Sequence, residues 1–405
     1  MKKVVLISVG QPSTNPRLVK EANALTEKGF DVYVVYSYWS KWASDADKVI
    51  LSKVAWKAFL AGGSPFELKF RYLFTRLRSK IFSLIAKYVT LKFGIAEVAR
   101  GRTYPELLKK AKALKADLYI AHVQAALPVA VKAAKKYNAK CGFDAEDFHR
   151  EEIQKQHNRY NYNISKYLED KYLPMVDYIT ASSPLIAEQY ASLYNRKVTV
   201  IQNVFPVDSD ILKPTINNKK SIKLFWFSQT IGPGRGIEVV LNALQLLKDY
   251  AFELHLLGDV SAEAKTLFTD TGQVKIELHL PMAPNEIISF ASQFDIGLAS
   301  ENSVPLNRDI CLTNKIFTYM QAGLAIVASD TKAQVKLLDE YPTIGKIYLK
   351  DDPRSLADIL LDYNLNRGKL LETREASLVV AQQKLNWEIE QKKFLSVVEN
   401  TLNNH

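Results

Sequence analysis

Short apolar runs of strand length recur along the chain, each followed by a segment of helix length. That alternation restricts the fold more than any other feature. "KVVLISV" opens the series. "NPRLVKEANALTEKGF" follows, with Asn15 placed to cap, Pro16 suited to a first helical turn, Leu18, Ala22 and Leu25 on one face, and Gly29 at the end. "DVYVVYS" is β-branched and aromatic, as a strand should be. Strand, helix and parallel strand within about 35 residues make a βαβ unit. The pattern resumes with "DLYIAHV", a helix over Ala125–Tyr137, "KCGFDA", "DYITASS", a helix opened by Pro184, and "KVTVIQNV". Strands this apolar belong to a parallel sheet covered on both faces.

The pattern then breaks. "FPVDSDILKPTINNKK" has two prolines and no sustained period, so an interdomain linker is expected over 206–220. The acids of its "DSD" are read as solvated. The same grammar restarts with "SIKLFWFSQ", the loop "GPGRG", a helix over Ile237–Tyr250, and the strands "FELHLLGD", "VKIELHL", "FDIGLAS", "LAIVASD" and "KIYL". An α/β chain of two successive Rossmann-like domains, 1–205 and 221–385, is the economical reading, with an amphipathic helix at 386–405. A length of 405 residues and 47% apolar content suit two cores.

The run after Met1-Lys2-Lys3 is too short for a secretory signal core, and "QPSTNPR" follows it, so it is read as a strand. No apolar stretch reaches the roughly 18 residues of a spanning helix. Two cysteines, Cys141 and Cys311, make no disulfide framework, and a reducing cytoplasm is the expected location. The net charge of +11 is concentrated in one block, about 50–102. There, Phe66, Phe70, Tyr72, Phe74, Phe82, Tyr88 and Phe93 interleave with Lys and Arg. A cationic helix carrying aromatic residues suits the surface of an anionic membrane, here through residues 66–93. No RNA-binding module accompanies it, so nucleic acid is not an expected partner.

In open parallel sheets, ligands bind beyond the carboxyl ends of the strands. Gly10, after the first strand, permits close backbone approach ahead of a helix start, or simply makes a turn. Gly232, Gly234 and Gly236 form a flexible loop in which Arg235 precedes a helix, where a cation opposes the helix dipole. Lys315 shows the same anomaly in a helix capped by Thr313 or Asn314. Two cations at two helix starts of one domain suggest a shared anionic ligand. In "FDAEDFHREE", Asp144, Glu146, Asp147 and His149 crowd the carboxyl edge of the first domain. They read either as acid/base or sugar-hydroxyl contacts, or as an acidic helix start. His122 ends a strand at the same edge. His255 and His279 lie mid-strand and are read as sheet residues. No cleanly spaced Asp-x-Asp or His pair stands with the Asp144–His149 cluster, so no metal is expected.

These segments together resemble the family-4 retaining glycosyltransferases, over nearly the whole chain. "NPRLVKEANALTEKGFDVYVV", "YLPMVDYITASSPLIAEQY" with "VTVIQNVF", "GRGIEVVLNALQLL", "NKIFTYMQAGLAIVASD" and "NWEIEQKKFLSVVENTL" carry the likeness in order and spacing. The resemblance implies the GT-B fold, two Rossmann-like domains facing a central cleft, with the last helix crossing back to the first. It implies transfer from a UDP- or GDP-type sugar donor to a glycan or lipid-linked acceptor, with retention and no metal or other cofactor. Gly10, Gln229, Gly232, Gly234, Arg235, Asn314, Lys315 and Thr318 would meet the donor. Arg17, His122, Asp144, Glu146 and His149 would lie on the acceptor side. Catalysis would fall to Glu146, Asp147, Arg235 and Lys315. Two departures stand out. The family's paired glutamates map to Ile310 and Thr318, with Asp309 one place off, and Glu146 stands where many relatives have histidine. A degenerate GT-B binding or scaffold protein and a sugar-nucleotide epimerase are the alternatives.

Overall fold

The computed structural model describes residues 1–215, 221–264 and 274–403. Residues 216–220 of the expected linker lie outside them. The chain divides into two units, Met1–Ile201 with Gln391–His405, and Gln202–Glu390.

The first unit is built on a parallel sheet of β1 (Lys3–Ile7), β2 (Asp31–Ser37), β3 (Lys57–Ala61), β4 (Leu118–His122), β5 (Lys140–Ala145), β6 (Tyr178–Ala181) and β7 (Thr199–Val200). The order is β3-β2-β1-β4-β5-β6-β7. Val4, Val5, Leu6 and Ile7 are fully buried, as are all residues of β4, because helices cover both faces. The sheet edge β3 was not legible as an apolar run, for its residues are mostly half exposed. Asn15 caps the helix Pro16–Glu27, its Oδ1 accepting from Leu18 N at 2.9 Å, with Pro16 in the first turn.

The second unit carries β8 (Ile222–Ile231), β9 (Phe252–Val260), β10 (Lys275–His279), β11 (Ile296–Ala299), β12 (Ala325–Ser329) and β13 (Gly345–Tyr348), in the order β10-β9-β8-β11-β12-β13. Phe225 stacks on Phe294 at 4.7 Å and meets the ring of Tyr319 edge-on. Gly297 sits opposite Tyr319. A Cβ there would stand 2.2 Å from the ring, so glycine lets the helix Asn314–Gln321 settle onto the strand. The helix expected over Ile237–Tyr250 ends at Leu246. The last helix, Trp387–Asn403, starts in the second unit, and its residues from Gln391 belong to the first.

Strand order reverses at β1/β4 in the first unit and at β8/β11 in the second. Loops leaving two such strands diverge and open a crevice at the sheet's carboxyl edge. Topology alone therefore directs attention to the loops after β1 and β4, and after β8 and β11.

Candidate active site

In the second unit, the chain leaves β8 and turns through Gly232–Gly236. Gly234 and Gly236 have φ of 69° and 79°. A Cβ on Gly236 would come within 2.7 Å of Ser300 Cβ, so only glycine lets this loop lie against the end of β11. Three successive residues after β11 hold the arrangement. Ser300 Oγ donates to Arg235 O at 3.3 Å, and Asn302 Nδ2 donates to Gly234 O at 2.6 Å. Glu301 Oε1 accepts from Lys315 Nζ at 2.5 Å and from Thr313 Oγ1 at 3.3 Å. Glu301 is itself fixed to β12, its N–H donating to Ser329 Oγ at 2.9 Å while Ser329 Oγ donates to Glu301 O at 2.7 Å.

The two cations are thus placed at one switch point but are not equivalent. Arg235 is exposed, donates to Ser228 Oγ at 3.0 Å, and has no carboxylate partner among the described residues. Lys315 is largely covered, paired with Glu301, and 5.1 Å from the Trp226 ring. Gln229 is exposed near the irregularity that shifts the β8–β9 register between Phe227 and Thr230. Bulges of this kind re-aim side chains at strand ends. Gly232 is buried, and Asn314 is exposed, accepting from Asn203 Nδ2 at 2.9 Å. Thr318 is 2% exposed, inside its helix, and Ile310 is buried as well. Asp309, the acid nearest the family's first glutamate, is tied to Lys332 by its backbone N–H at 3.1 Å and its ammonium at 3.2 Å. The acid beside Lys315 is Glu301, which sequence reasoning missed. Its separation of 14 residues from Lys315 carries no periodic signal.

In the first unit, Gly10 lies in the loop after β1, its N–H donating to Ser8 Oγ at 3.1 Å. The loop is stapled down by Asp47, which accepts from Gln11 Nε2 at 2.9 Å and Ser13 N at 2.8 Å. Gly10 and the second unit's loop at 232–236 belong to different units.

Arg17, His122, Asp144 and Glu146 form one largely buried network. Arg17 grips Asp144 through two prongs, Nε to Oδ2 at 2.5 Å and Nη2 to Oδ1 at 2.6 Å, and its Nη1 donates to Ile201 O. Thr180 Oγ1 adds a bond to Asp144 at 2.6 Å. His122 stands 3.3 Å from Glu21, 3.5 Å from Asp144 and 3.3 Å from Glu146. Burial alone would push the His122 imidazolium down. Glu21, Glu146 and Asp144 outweigh it and raise the group to about 10. Burial and then Asp144 hold the Glu21 carboxyl above its usual range. Asp144 is held below its own, because Arg17 and His122 overcome the cost of burial.

Sequence reasoning put Asp144 and His122 at the carboxyl edge of the first domain's sheet, where a ligand could reach them. The structure buries both completely, because their strand register turns them onto Arg17 and Glu21. Glu146 alone of the acids in this network reaches solvent, with its side chain 21% exposed. Asn15 Nδ2 donates to its Oε1 at 2.6 Å. Asp147 is half-buried beside it, its carbonyl accepting from Tyr190 OH at 3.4 Å. His149 is buried and bonded to Glu152, which raises its imidazolium although burial opposes this.

Among the described residues, two sets of three donors lie within 4.8 Å of one another. Glu21, His122 and Asp144 are engaged as above. His255, Glu277 and His279 meet on β9 and β10, where the imidazoles are 3.0 Å apart and Lys275 holds Glu277 at 3.0 Å. The sequence had left these histidines as separate sheet residues. Register, with Glu277 opposite His255, brings them together.

No protein-family model matches this chain, and no curated protein does. Solved structures do. Anabaena HepE in complex with UDP and glucose is 15% identical, with a TM-score of 0.69, over 99% of this chain and 100% of that one. A glycosyltransferase from Rickettsia africae is also 15% identical, with a TM-score of 0.69 and 100% coverage of both. A putative UDP-N-acetylglucosamine 2-epimerase from Listeria monocytogenes is 10% identical at a TM-score of 0.60, over 100% of this chain and 98% of that one. The chain thus has two Rossmann-like domains in the manner of GT-B glycosyltransferases.

Proposed function

We propose that the protein is a retaining glycosyltransferase of the family-4 type, moving a sugar from a UDP- or GDP-type donor to a glycan or lipid-linked acceptor in cell-surface polysaccharide assembly. The observation that carries this is the β8/β11 switch point, where Ser300, Glu301 and Asn302 hold Arg235 and Lys315 beside one glycine loop. A diphosphate needs such cations where leaving-group charge develops. The presence of UDP in the similar HepE structure agrees with that reading. The reaction breaks the bond from anomeric carbon to phosphate oxygen and forms one to the acceptor oxygen. The acceptor's proton passes to the departing phosphate. The protein's work is then orientation and charge stabilisation, and no metal is required. Arg235 is the primary phosphate partner, and Lys315 shares its charge with Glu301 until the donor arrives. Glu146, with Asp147 beside it, faces the acceptor hydroxyl, supported by Asn15 and His122. Arg17 and Asp144 act as positioning residues through this network, and His149 lies apart from it, held by Glu152.

Thr318 supplies one hydrogen bond at most, where a carboxylate would chelate a ribose diol. That change bears on donor choice and affinity rather than on bond breaking. The enzyme works in the cytoplasm at the membrane surface, with the helix Lys69–Tyr88 towards the lipid. Among the described residues, no helix is long and apolar enough to cross a membrane. Calorimetry with UDP- and GDP-sugars, followed by transfer assays across an acceptor panel, tests the reading. Absence of both binding and transfer would overturn it in favour of a scaffold role. The Listeria likeness favours one rival, epimerisation of the donor alone. Turnover of a UDP-sugar without acceptor would establish it.

A further inference from the structure

The helix Lys69–Tyr88 presents an uncovered apolar stripe. Phe70, Leu73, Phe74, Leu77, Ile81, Leu84 and Tyr88 are between 47% and 90% exposed. At 3.6 residues per turn, these seven positions fall within about 100° of the circumference. Thr75 and Ala86 mark the opposite, buried side. Arg71 and Arg78 flank the stripe on one side, and Lys69, Arg76, Lys80 and Lys87 on the other. The helix carries no acid. An apolar face bordered by cations is complementary to one surface in particular, a lipid leaflet with negative headgroups.

Beside this stripe lies a cavity of about 300 Å³, lined by Tyr38, Trp39, Tyr72, Arg76, Lys80 and Arg102, with Ser79. Among the described residues, no carboxylate pairs with Arg76, Lys80 or Arg102, whereas Arg78 nearby is satisfied by Glu106 at 2.6 Å. Arg102 is held in place by neutral groups, donating to Thr75 Oγ1 at 2.6 Å and Tyr38 O at 2.9 Å, and stacks 5.0 Å from the Tyr72 ring. Arg76 donates to Tyr72 OH at 2.9 Å. Burial, and after it the charges of Arg76 and Arg78, hold the Arg102 guanidinium below its usual range, with Tyr72 and Glu106 opposing. Trp39 walls the cavity and is 71% exposed.

We propose that this cavity binds the terminal phosphate of a membrane lipid whose tail region meets the Phe70–Tyr88 stripe. Three cations around one cavity, none in direct contact with a carboxylate among the described residues, suit a dianionic phosphate monoester better than the single charge of a phosphodiester. The inference rests on the membrane-facing part of the function proposed above. It is read without any sugar donor, so its failure leaves nucleotide binding untouched.

Flotation of the full chain tests it, with phosphatidylcholine vesicles carrying either phosphatidic acid or phosphatidylglycerol at equal surface charge. The intact protein should prefer phosphatidic acid about tenfold. Near an anionic surface each cation is worth about fivefold, so R76A/K80A should weaken binding by tenfold or more and abolish the preference. R71A/K87A removes the same charge outside the cavity, and should weaken both lipids alike while keeping the preference. All four residues are exposed or half exposed, and an unchanged melting temperature confirms folding. Equal binding to the two lipids, or identical effects of the two pairs, would overturn the proposal. So would inorganic diphosphate that binds at micromolar concentration and strips the protein from vesicles, since the occupant would then be a soluble phosphate. Self-association abolished by F70S/L77S, with no vesicle binding, would reassign the stripe to a second copy of the chain.

Discussion

Replacing Asp144 by Asn removes the negative half of a wholly buried pair while keeping its size. Arg17 would keep at most one of its two bonds to this side chain, now at 2.5 and 2.6 Å, through the amide oxygen, while its other prong would face an N–H donor. Breaking one side of a buried ion pair costs about 3–5 kcal/mol. The structure puts this case at the low end. Glu21 lies 3.4 Å from Arg17 Nε, and its carboxyl is raised partly by the charge of Asp144. Removing that charge lets Glu21 ionise more readily and take over part of the pairing, so a loss of about 3 kcal/mol is expected. The urea dependence of amide exchange in β1, β4 and β5 reads the first unit alone. D144N should lower its opening energy by about 3 kcal/mol, and D144N/E21Q by more than 4 kcal/mol. R17M/D144N should cost less than the sum of its two single changes, because one pair is being broken twice. A D144N cost below about 1 kcal/mol, or strict additivity, would refute the idea that these residues act as a buried unit.

Three further outcomes follow. R235A should weaken UDP binding by about tenfold to a hundredfold, the value of a charge-assisted phosphate contact, and calorimetry showing no change would remove Arg235 from the donor site. E301Q frees the Lys315 ammonium from its 2.5 Å partner, so UDP should bind a few-fold tighter with steeper salt dependence; unchanged affinity at low and high salt would count against a shared role for that pair. The pH dependence of first-unit stability contains two opposed contributions. His122, raised to about 10, binds its proton more tightly in the folded state, so its contribution is complete below the unfolded value of about 6.5 and fades as pH rises through 10. Lys20, pushed down to about 7 by burial and then Arg17, has the opposite sign, and stability rises as it deprotonates. The intact protein should therefore be nearly flat between pH 7 and 10. K20M should fall over that range and H122N should rise, as melting temperatures will show.

Both sheets were legible because parallel strands buried on two faces leave apolar runs, and β1 and β4 are the plainest examples. β3 was not, because an edge strand with half-exposed residues writes no such run. Capping at Asn15 was readable because the cap and its target are three residues apart. The cations of the candidate site were readable for a similar local reason, each sitting against a helix dipole. Their partners were not. Arg17 reaches Asp144 across 127 residues, and Lys315 reaches Glu301 across 14 residues that include the short helix Leu306–Ile310, separations at which register and topology decide who meets whom.

The missed residue alters the reading of the site. Sequence comparison framed the second unit as a site lacking an acid, with Thr318 and Ile310 where glutamates were expected. Both are buried, and Asp309 is bound to Lys332. An acid is nevertheless present, one residue beyond the Ser300 that braces the glycine loop and fixed to β12 through Ser329. Its side chain is 16% exposed, and its Oε1 already holds Lys315 and Thr313. Its carboxylate is fixed by Lys315 and Thr313, so the cation it neutralises is held in one geometry before any anion arrives. An acid therefore stands at this edge of the sheet, at the end of β11 rather than in the helix Asn314–Gln321, and it is bound to the cation that would meet the phosphate.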